Sequence, residues 1–208
     1  MTVSIPMLLV RLARELIPKT VRRVRRRHDW SGAQACASCS DQSPRATPQQ
    51  LATAIIECIA AGARVINLSL AVVDGSPTAE TRLEEALDQA SRHGVIVVAA
   101  AGNQGTLGST LITRHPSVIP VVAYDLQGRA LTLSNLGGSI GRRGLGAPGD
   151  RITSLGSDGI PLTLGGTSAA APFVTGAIAL LWSEFPAATA PQIKLAVSRS
   201  LRRRVSVV

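Results

Sequence analysis

Ser168 lies in a setting that favours chemistry at its hydroxyl group. It follows Gly165, Gly166 and Thr167 and precedes Ala169–Ala171, after which apolar residues predict a buried helix. Because the glycines leave the backbone free to turn, we expect a tight turn that presents the hydroxyl at the helix start. A serine at this position is most often only a helix cap, and that alternative stays open.

A second stretch offers a side-chain amide. Residues Val95–Ala101 form an apolar run that predicts a buried strand, and Gly102 and Asn103 follow it directly. An asparagine after a glycine commonly makes only a turn. Beside a serine nucleophile, however, its amide would be a donor to the oxyanion that forms when a hydroxyl attacks a peptide carbonyl. The two stretches together predict acyl transfer, provided that the fold brings Asn103 to Ser168.

Four motifs, in order along the chain, resemble those of the subtilisin-like serine peptidases, the subtilases. They are a substrate-lining strand (Val65–Leu70), an oxyanion-hole motif (Ala100–Asn103), the turn Ala147–Gly149, and a nucleophile motif (Gly166–Gly176). The resemblance covers roughly residues 47–200 and only the C-terminal half of the family's catalytic domain. Within the family, the compact spacing resembles maturation proteases of ribosomally made cyclic peptides.

The resemblance implies roles for individual residues. Ser168 would be the nucleophile, and its own backbone N–H and the Asn103 side-chain amide would stabilise the oxyanion. The segment expected to pair with the backbone of a peptide or protein substrate comprises Ser69, Leu70 and Ala71. The expected wall of the pocket for a substrate side chain comprises Ala100, Ala101 and Gly102.

The family's aspartate and histidine motifs are not found in this sequence. His93 and His115 come too late in the order, His28 lies in a run of arginines without the following glycine, and Asp29 and Asp41 have no better claim. A serine without a base is a weak nucleophile. We therefore expect a serine endopeptidase that is truncated or inactive alone, or one completed by a second chain that supplies the aspartate and histidine. The alternative is a pseudo-peptidase that binds peptides without cleaving them.

Three accounts of the missing motifs stay open: a truncated gene, a misassigned start, and a true non-catalytic relative. An α/β-hydrolase esterase is disfavoured, because its nucleophile elbow requires glycine where this chain has Ala170.

Apolar runs that alternate with amphipathic helices predict an α/β fold. The strands are nearly continuous in hydrophobicity, which is typical of a parallel sheet covered on both faces. We expect a three-layer sandwich with a mostly parallel sheet, subtilisin-like by resemblance and without that family's N-terminal strands. Ligands of such sheets bind beyond the carboxyl ends of the strands, where Ser69 and Asn103 lie.

The pattern also predicts individual elements. A capping box at Thr47 and Gln50 begins one helix and a second at Thr189 and Gln192 begins the last. The other expected elements are helices over 77–93 and from Ser168 to about Phe185, strands over 64–70, 95–101, 118–123 and 131–134, and a glycine-rich loop over 137–149.

The net charge of +9 lies at the chain ends. Residues 1–30 hold eight basic and two acidic side chains, residues 199–208 hold four arginines, and the segment between them is near neutral. We expect a divergent, poorly ordered arm and linker over 1–46, a partial catalytic domain over 47–200 and a basic tail over 201–208. A basic amphipathic helix at Leu8, Leu12 and Leu16, lying on a membrane surface, is the alternative for the arm.

Composition disfavours several other classes of partner and cofactor. No aromatic residues alternate with the arginines, as a nucleic-acid stacking platform would need. No apolar run reaches the roughly 18 residues of a membrane span. Cys36 and Cys39 lack a second pair for a zinc site, and no acidic loop is dense enough for the structural calcium that many relatives carry. Because no signal peptide is found, we favour a cytoplasmic location.

Overall fold

A parallel sheet between two helical layers forms the part of the protein that the computed structural model describes, residues 45–72, 76–155 and 160–202. In chain order its elements are β1 (Arg45–Ala46), α1 (Pro48–Ala60), β2 (Val65–Leu68), β3 (Ala71–Val72), α2 (Pro77–Arg92), β4 (Ile96–Ala100), α3 (Leu111–Arg114), β5 (Val118–Tyr124), α4 (Gly138–Arg143), β6 (Leu145–Pro148), β7 (Ile152–Leu155), β8 (Pro161–Leu164), α5 (Thr167–Glu184) and α6 (Ala190–Arg202).

The sheet has the strand order β2-β4-β5-β6, and every neighbouring pair is parallel. Two short pairs accompany it: β1 runs parallel to β3, and β7 runs antiparallel to β8 just before α5. The predicted mostly parallel sheet is confirmed. Its connections are helices and loops on the two faces, as parallel pairing requires.

Each face of the sheet is buried by a different pair of helices. Successive residues of a strand point to opposite faces. One face, with Val97 and Ala99 of β4, packs against α1 and α2, and the other face, with Ile96 and Val98, packs against α5 and α6. The predicted three-layer α/β architecture is therefore confirmed.

Several helix starts follow their local sequence signals. Gln50 N–H donates to Thr47 Oγ1 at 3.2 Å, and Thr47 N–H donates back to Gln50 Oε1 at 3.0 Å, so the first capping box is formed. Thr189 and Gln192 make the corresponding backbone-to-amide bond at 2.8 Å before α6. The apolar residues that recur at helical spacing in α2 are all buried: Leu83, Ala86, Leu87 and Ala90.

Two predicted elements are wrong. The segment predicted as a glycine-rich loop over 137–149 contains α4 and β6, because Ile140, Leu145 and Ala147 bury their side chains and β6 completes its backbone hydrogen bonds along β5. The predicted strand over 131–134 is a turn, in which Ser134 N–H donates to Leu131 O at 2.9 Å. In the first segment tertiary contacts override local composition, and in the second a local turn bond replaces strand pairing.

Other expectations concern residues outside this description. Most of the arm and linker expected over 1–46 lies there, with the alternative helix at Leu8, Leu12 and Leu16 and the Cys36 and Cys39 pair, and so do residues 203–208 of the basic tail. None of the helices in the described ranges combines the length and the hydrophobicity of a membrane span.

The core side of α5 offers a stability test. Ile178 is fully buried in the core, whereas Leu180 on the same helix is 39% exposed. We expect Ile178→Ala to lower the free energy of unfolding by about 2–5 kcal/mol, because it leaves a cavity between α5 and the sheet. Leu180→Ala, the control, should cost about 1 kcal/mol or less. Urea unfolding followed by circular dichroism measures both, and equal losses would contradict this packing.

Candidate active site

The site lies at the carboxyl edge of the sheet, where several chain segments end together. Parallel strands end at the same edge, so Ser69, after β2, and Asn103, after β4, are brought to one side of the molecule. The first turn of α5 lies at the same edge, since its Thr167 and Ser168 hydrogen-bond to these segments. The structure thus places Ser168 in the same cluster as Asn103 and Ser69.

The Asn103 side chain is bonded through its oxygen to the residue before Ser168. Asn103 Oδ1 accepts the backbone N–H of Thr167 at 2.9 Å and the Thr167 hydroxyl, also at 2.9 Å. Thr167 Oγ1 in turn accepts Gly102 N–H at 3.2 Å, and the Thr167 side chain is fully buried. Because the two Thr167 bonds occupy the Asn103 oxygen, the Nδ2 group is the part of the side chain that is left to donate a hydrogen bond.

Two glycines allow neighbouring side chains to lie directly against the backbone of the site. Gly166 has φ +85°, and a Cβ there would lie 2.8 Å from Asn103 Oδ1 and 2.9 Å from Nδ2. Gly102 has φ +104°, and a Cβ there would collide with the Asn135 side chain. Both backbones occupy the left-handed region that other residues avoid. Any larger residue would therefore displace Asn103 or its loop.

Asn135 fixes the loop that carries Asn103, and sequence reasoning missed it. Its Oδ1 accepts the N–H groups of Gln104 and Thr106 at 3.0 and 3.2 Å and the Thr106 hydroxyl at 3.1 Å. Its backbone N–H donates to Gly102 O at 3.0 Å, and its side chain is only 5% exposed. The sequence signal at Asn135 is weak, since it consists of a Ser-Asn pair flanked by leucines. Nothing in that pattern indicates the distant loop that Asn135 binds.

Ser168 is half-buried in the first turn of α5. Ala169 and Ala170 donate their N–H groups to Gly166 O, whereas in the described part of the chain the Ser168 N–H and the Asn103 Nδ2 group have no hydrogen-bond acceptor. The start of an α-helix carries a partial positive charge. Two unpaired donors at such a point form an arrangement that can stabilise an anion.

The histidines of the described residues are remote from this edge. His93 precedes β4 and His115 precedes β5, so both lie at the amino ends of strands, opposite Asn103. In the residues that the structure describes, no hydrogen bond reaches Ser168 Oγ. His28, Asp29 and Asp41 lie outside those residues.

The segments expected to line a substrate are partly engaged within the protein. The Ser69 hydroxyl donates to Ser168 O, and Leu70 packs partly against the core. Ala71 begins β3, whose backbone is aligned with Arg45 of β1.

In the segment expected to form the pocket wall, Ala100–Gly102, the Ala101 side chain is completely buried and the Ala100 side chain is half-buried. No group of three or more metal-binding side chains occurs in the ranges 45–72, 76–155 and 160–202.

The family model described as the subtilase family matches residues 26–206, most of the chain. The chain belongs to the subtilase family. This confirms the resemblance read from the motifs, and the match extends beyond residues 47–200 at both ends.

Bacterial subtilases are similar to about two thirds of this chain. Subtilisin DY of Bacillus licheniformis is 38% identical over 137 residues, which are 64% of this chain and 47% of that protein. A thermostable alkaline protease of Halalkalibacterium halodurans is 35% identical and shares 65% of this chain and 36% of its own length. The chain thus spans half or less of the length of these relatives.

Solved structures are also similar to about two thirds of this chain. The prenylagaramide maturation protease PagA superposes with a TM-score of 0.65 at 34% identity, covering 70% of this chain and 52% of that one. The PatG macrocyclase domain superposes with a TM-score of 0.60 at 30% identity, covering 66% of this chain and 42% of that one. Both matches agree with the three-layer fold of this subtilase.

His115 of this subtilase joins two elements at the amino edge of the sheet. Its side chain is 7% exposed; Nδ1 lies 2.8 Å from Ser117 Oγ, and Nε2 lies 3.4 Å from Asp88 Oδ1 of α2. Burial lowers the pKa of His115, and this outweighs Asp88 and Glu84, which raise it; Arg143 lowers it further. The folded state therefore favours the neutral imidazole.

This pKa shift predicts a dependence of stability on pH. The imidazole of the unfolded chain has a pKa of about 6.5, so as pH falls through that value the unfolded state takes up the proton first and the folded state loses stability. We expect the unfolding midpoint in urea to fall more steeply between pH 8 and pH 5 for the natural chain than for His115→Gln. The control is His93→Gln, because His93 is exposed. Parallel curves for the natural chain and His115→Gln would contradict this assignment.

Proposed function

We propose that this chain carries the nucleophile and the oxyanion hole of a subtilase-type serine endopeptidase. Ser168 is the nucleophile, and the Asn103 side-chain amide and the Ser168 backbone N–H are the oxyanion donors. The observation that supports this most is the position of Asn103: its oxygen is bonded twice to Thr167, the residue before Ser168, which leaves Nδ2 as a free donor. A pre-oriented donor pays no reorganisation cost when charge develops.

The proposed reaction is peptide bond hydrolysis through an acyl-enzyme. Ser168 Oγ bonds to the carbonyl carbon of the substrate, and the carbonyl electron pair moves to the oxygen, which the two donors stabilise. The hydroxyl proton passes to a base and then to the leaving amine as the C–N bond breaks. Water repeats the attack on the acyl-enzyme and releases the acid. The described residues supply the donors and the nucleophile but no base within reach.

The open edge of the sheet is the proposed docking edge for the segment that supplies the base. Among the described residues, β2 has a strand neighbour on one side only, β4. A parallel strand added beside β2 would end at the same edge as Ser69, whose hydroxyl is bonded to the Ser168 carbonyl. We propose that a second chain provides this strand and brings the aspartate and histidine.

The alternative is a pseudo-peptidase that binds extended peptides. It is favoured by the absence of a hydrogen-bond partner for Ser168 Oγ in the described part of the chain. Peptide recognition is also consistent with relatives whose names refer to maturation proteases and to a macrocyclase. On this alternative, affinity for peptides persists in Ser168→Ala.

Labelling with a fluorophosphonate tests the proposal. The probe transfers its phosphonyl group to the oxygen of an activated serine, with loss of fluoride. We expect labelling of Ser168 when the chain is co-expressed with the N-terminal half of a homologous subtilase that carries the aspartate and histidine motifs, and none in Ser168→Ala. Asn103→Ala should slow peptide cleavage by this complex by roughly 10²–10³-fold, the range known for the corresponding donor in subtilisin itself. Thr167→Val should give a smaller loss, because one of the two bonds to Asn103 remains.

The control is Gln49→Ala, which removes an exposed carboxamide from α1 and should leave cleavage unchanged. Failure of the complemented complex to label or to cleave would contradict the endopeptidase proposal. Calorimetry with Ser168→Ala then decides the alternative, because a pseudo-peptidase keeps its heat of peptide binding.

A further inference from the structure

A line of hydrogen bonds joins the end of β2 to the nucleophile turn. Thr175 Oγ1 donates to Asn67 Oδ1 at 3.0 Å, Asn67 Nδ2 donates to Ser69 Oγ at 2.9 Å, and Ser69 Oγ donates to the Ser168 carbonyl at 3.2 Å. Thr175 is 8% exposed, whereas Asn67 and Ser69 are half-buried. All three bonds have the same donor-to-acceptor direction, an order in which each bond polarises the next.

Pro172 explains why the Ser168 carbonyl is free to accept the last hydrogen bond of this line. In an α-helix the carbonyl of residue 168 would accept the N–H of residue 172, but proline has no N–H. Pro172 lies inside α5 and is buried, so water does not readily replace the missing donor. The hydroxyl of Ser69 supplies a donor from β2 instead.

The hydrogen count fixes the roles along this line. A serine hydroxyl has one hydrogen, and that of Ser69 is used on Ser168 O, so its remaining partner must be a donor. Asn67 therefore turns its Nδ2 group to Ser69 and its oxygen to Thr175. The Thr175 hydroxyl is shared, because it also lies 3.0 Å from the Ala171 carbonyl.

We propose that Asn67, Ser69 and Thr175 are positioning residues that hold the Ser168 peptide against the end of β2. This inference rests on the proposed function, because it assigns these side chains to the placement of the nucleophile. The Ser69 hydroxyl acts on the protein's own carbonyl and not on a substrate. Neither Thr175 nor Asn67 touches the reacting atoms.

A spectroscopic test is available that needs no catalysis. Ser168-Ala169 is the only Ser-Ala pair in the chain, so cell-free synthesis with ¹³C-carbonyl serine and ¹⁵N-alanine gives one cross-peak that reports the Ser168 carbonyl. Loss of a hydrogen bond moves a carbonyl ¹³C resonance upfield. We expect Ser69→Ala to move it upfield, with a smaller movement in the same direction for Asn67→Ala and Thr175→Val. Thr175→Ser should restore the natural position.

Combining Pro172→Ala with Ser69→Ala gives a double-mutant cycle that the same experiment can measure. The alanine introduced there has an N–H that can donate to the Ser168 carbonyl inside the helix, so Ser69→Ala should move the resonance much less in this background. Thr81→Val is the matched control, because Thr81 makes the same bond to a carbonyl four residues earlier, in α2. An unmoved resonance in Ser69→Ala, or an equal movement with and without Pro172, overturns the proposal.

The rate of fluorophosphonate labelling in the complemented complex links this line to reactivity. We expect Ser69→Ala and Asn67→Ala to slow labelling on the order of tenfold or more, because small displacements of a nucleophile have large effects on rate. Labelling at the natural rate in both variants overturns the positioning role. If the natural chain is never labelled while the Ser168 resonance still responds to Ser69→Ala and the Pro172 cycle, the endopeptidase proposal fails and the placement of the Ser168 peptide by this line stands.

Discussion

The double hydrogen bond from Thr167 to the Asn103 oxygen is the interaction on which the site depends. It joins the loop after β4 to the first turn of α5 across 64 positions of the chain. Hydrophobic packing brings α5 onto the sheet, because Ala170, Val174 and Ile178 are buried against the strands. Packing is not directional, however, and it leaves the orientation of an amide undetermined. The two Thr167 bonds fix that orientation, because they occupy the Asn103 oxygen and leave the Nδ2 group to donate.

The first turn of α5 is held from two sides. On one side Asn103 and Gly102 bond to Thr167, and on the other side Ser69 bonds to the Ser168 carbonyl. The two attachments come from neighbouring parallel strands, β4 and β2, whose carboxyl ends share one edge. A functional group is placed most accurately when rigid elements and fixed hydrogen bonds support it together. The helix start in this subtilase has both kinds of support.

Local sequence determined the parts of the fold whose signals lie within a few residues. The capping box of Thr47 and Gln50 and the buried face of α2 were predictable because propensity and periodicity agree there. The segment 137–149 was not, because its glycines suggested a loop while the burial of Leu145 and Ala147 against β5 makes a strand. That burial depends on a partner strand more than twenty positions away.

The residues of the site were likewise predictable only where the signal is local. Ser168 and Asn103 could be singled out because their motifs are short and resemble those of a known family. Asn67, Asn135 and Thr175 could not, because each acts through a bond to a residue about 30 to 110 positions away. A single sequence does not show which buried polar side chains meet. The base is a different case, because the expectation that the given sequence holds no histidine motif before β2 came from the motifs alone, and the histidines of the described residues lie at the opposite edge of the sheet.

A double-mutant cycle on Asn103→Ala and Thr167→Val tests the central interaction most directly. The free energies of unfolding of the natural chain, both single variants and the double variant are measured in urea. We expect a coupling energy of about 1 kcal/mol, because the Thr167 hydroxyl loses its acceptor in one variant and the Asn103 oxygen loses a donor in the other. Additivity of the two losses within about 0.3 kcal/mol would contradict the account.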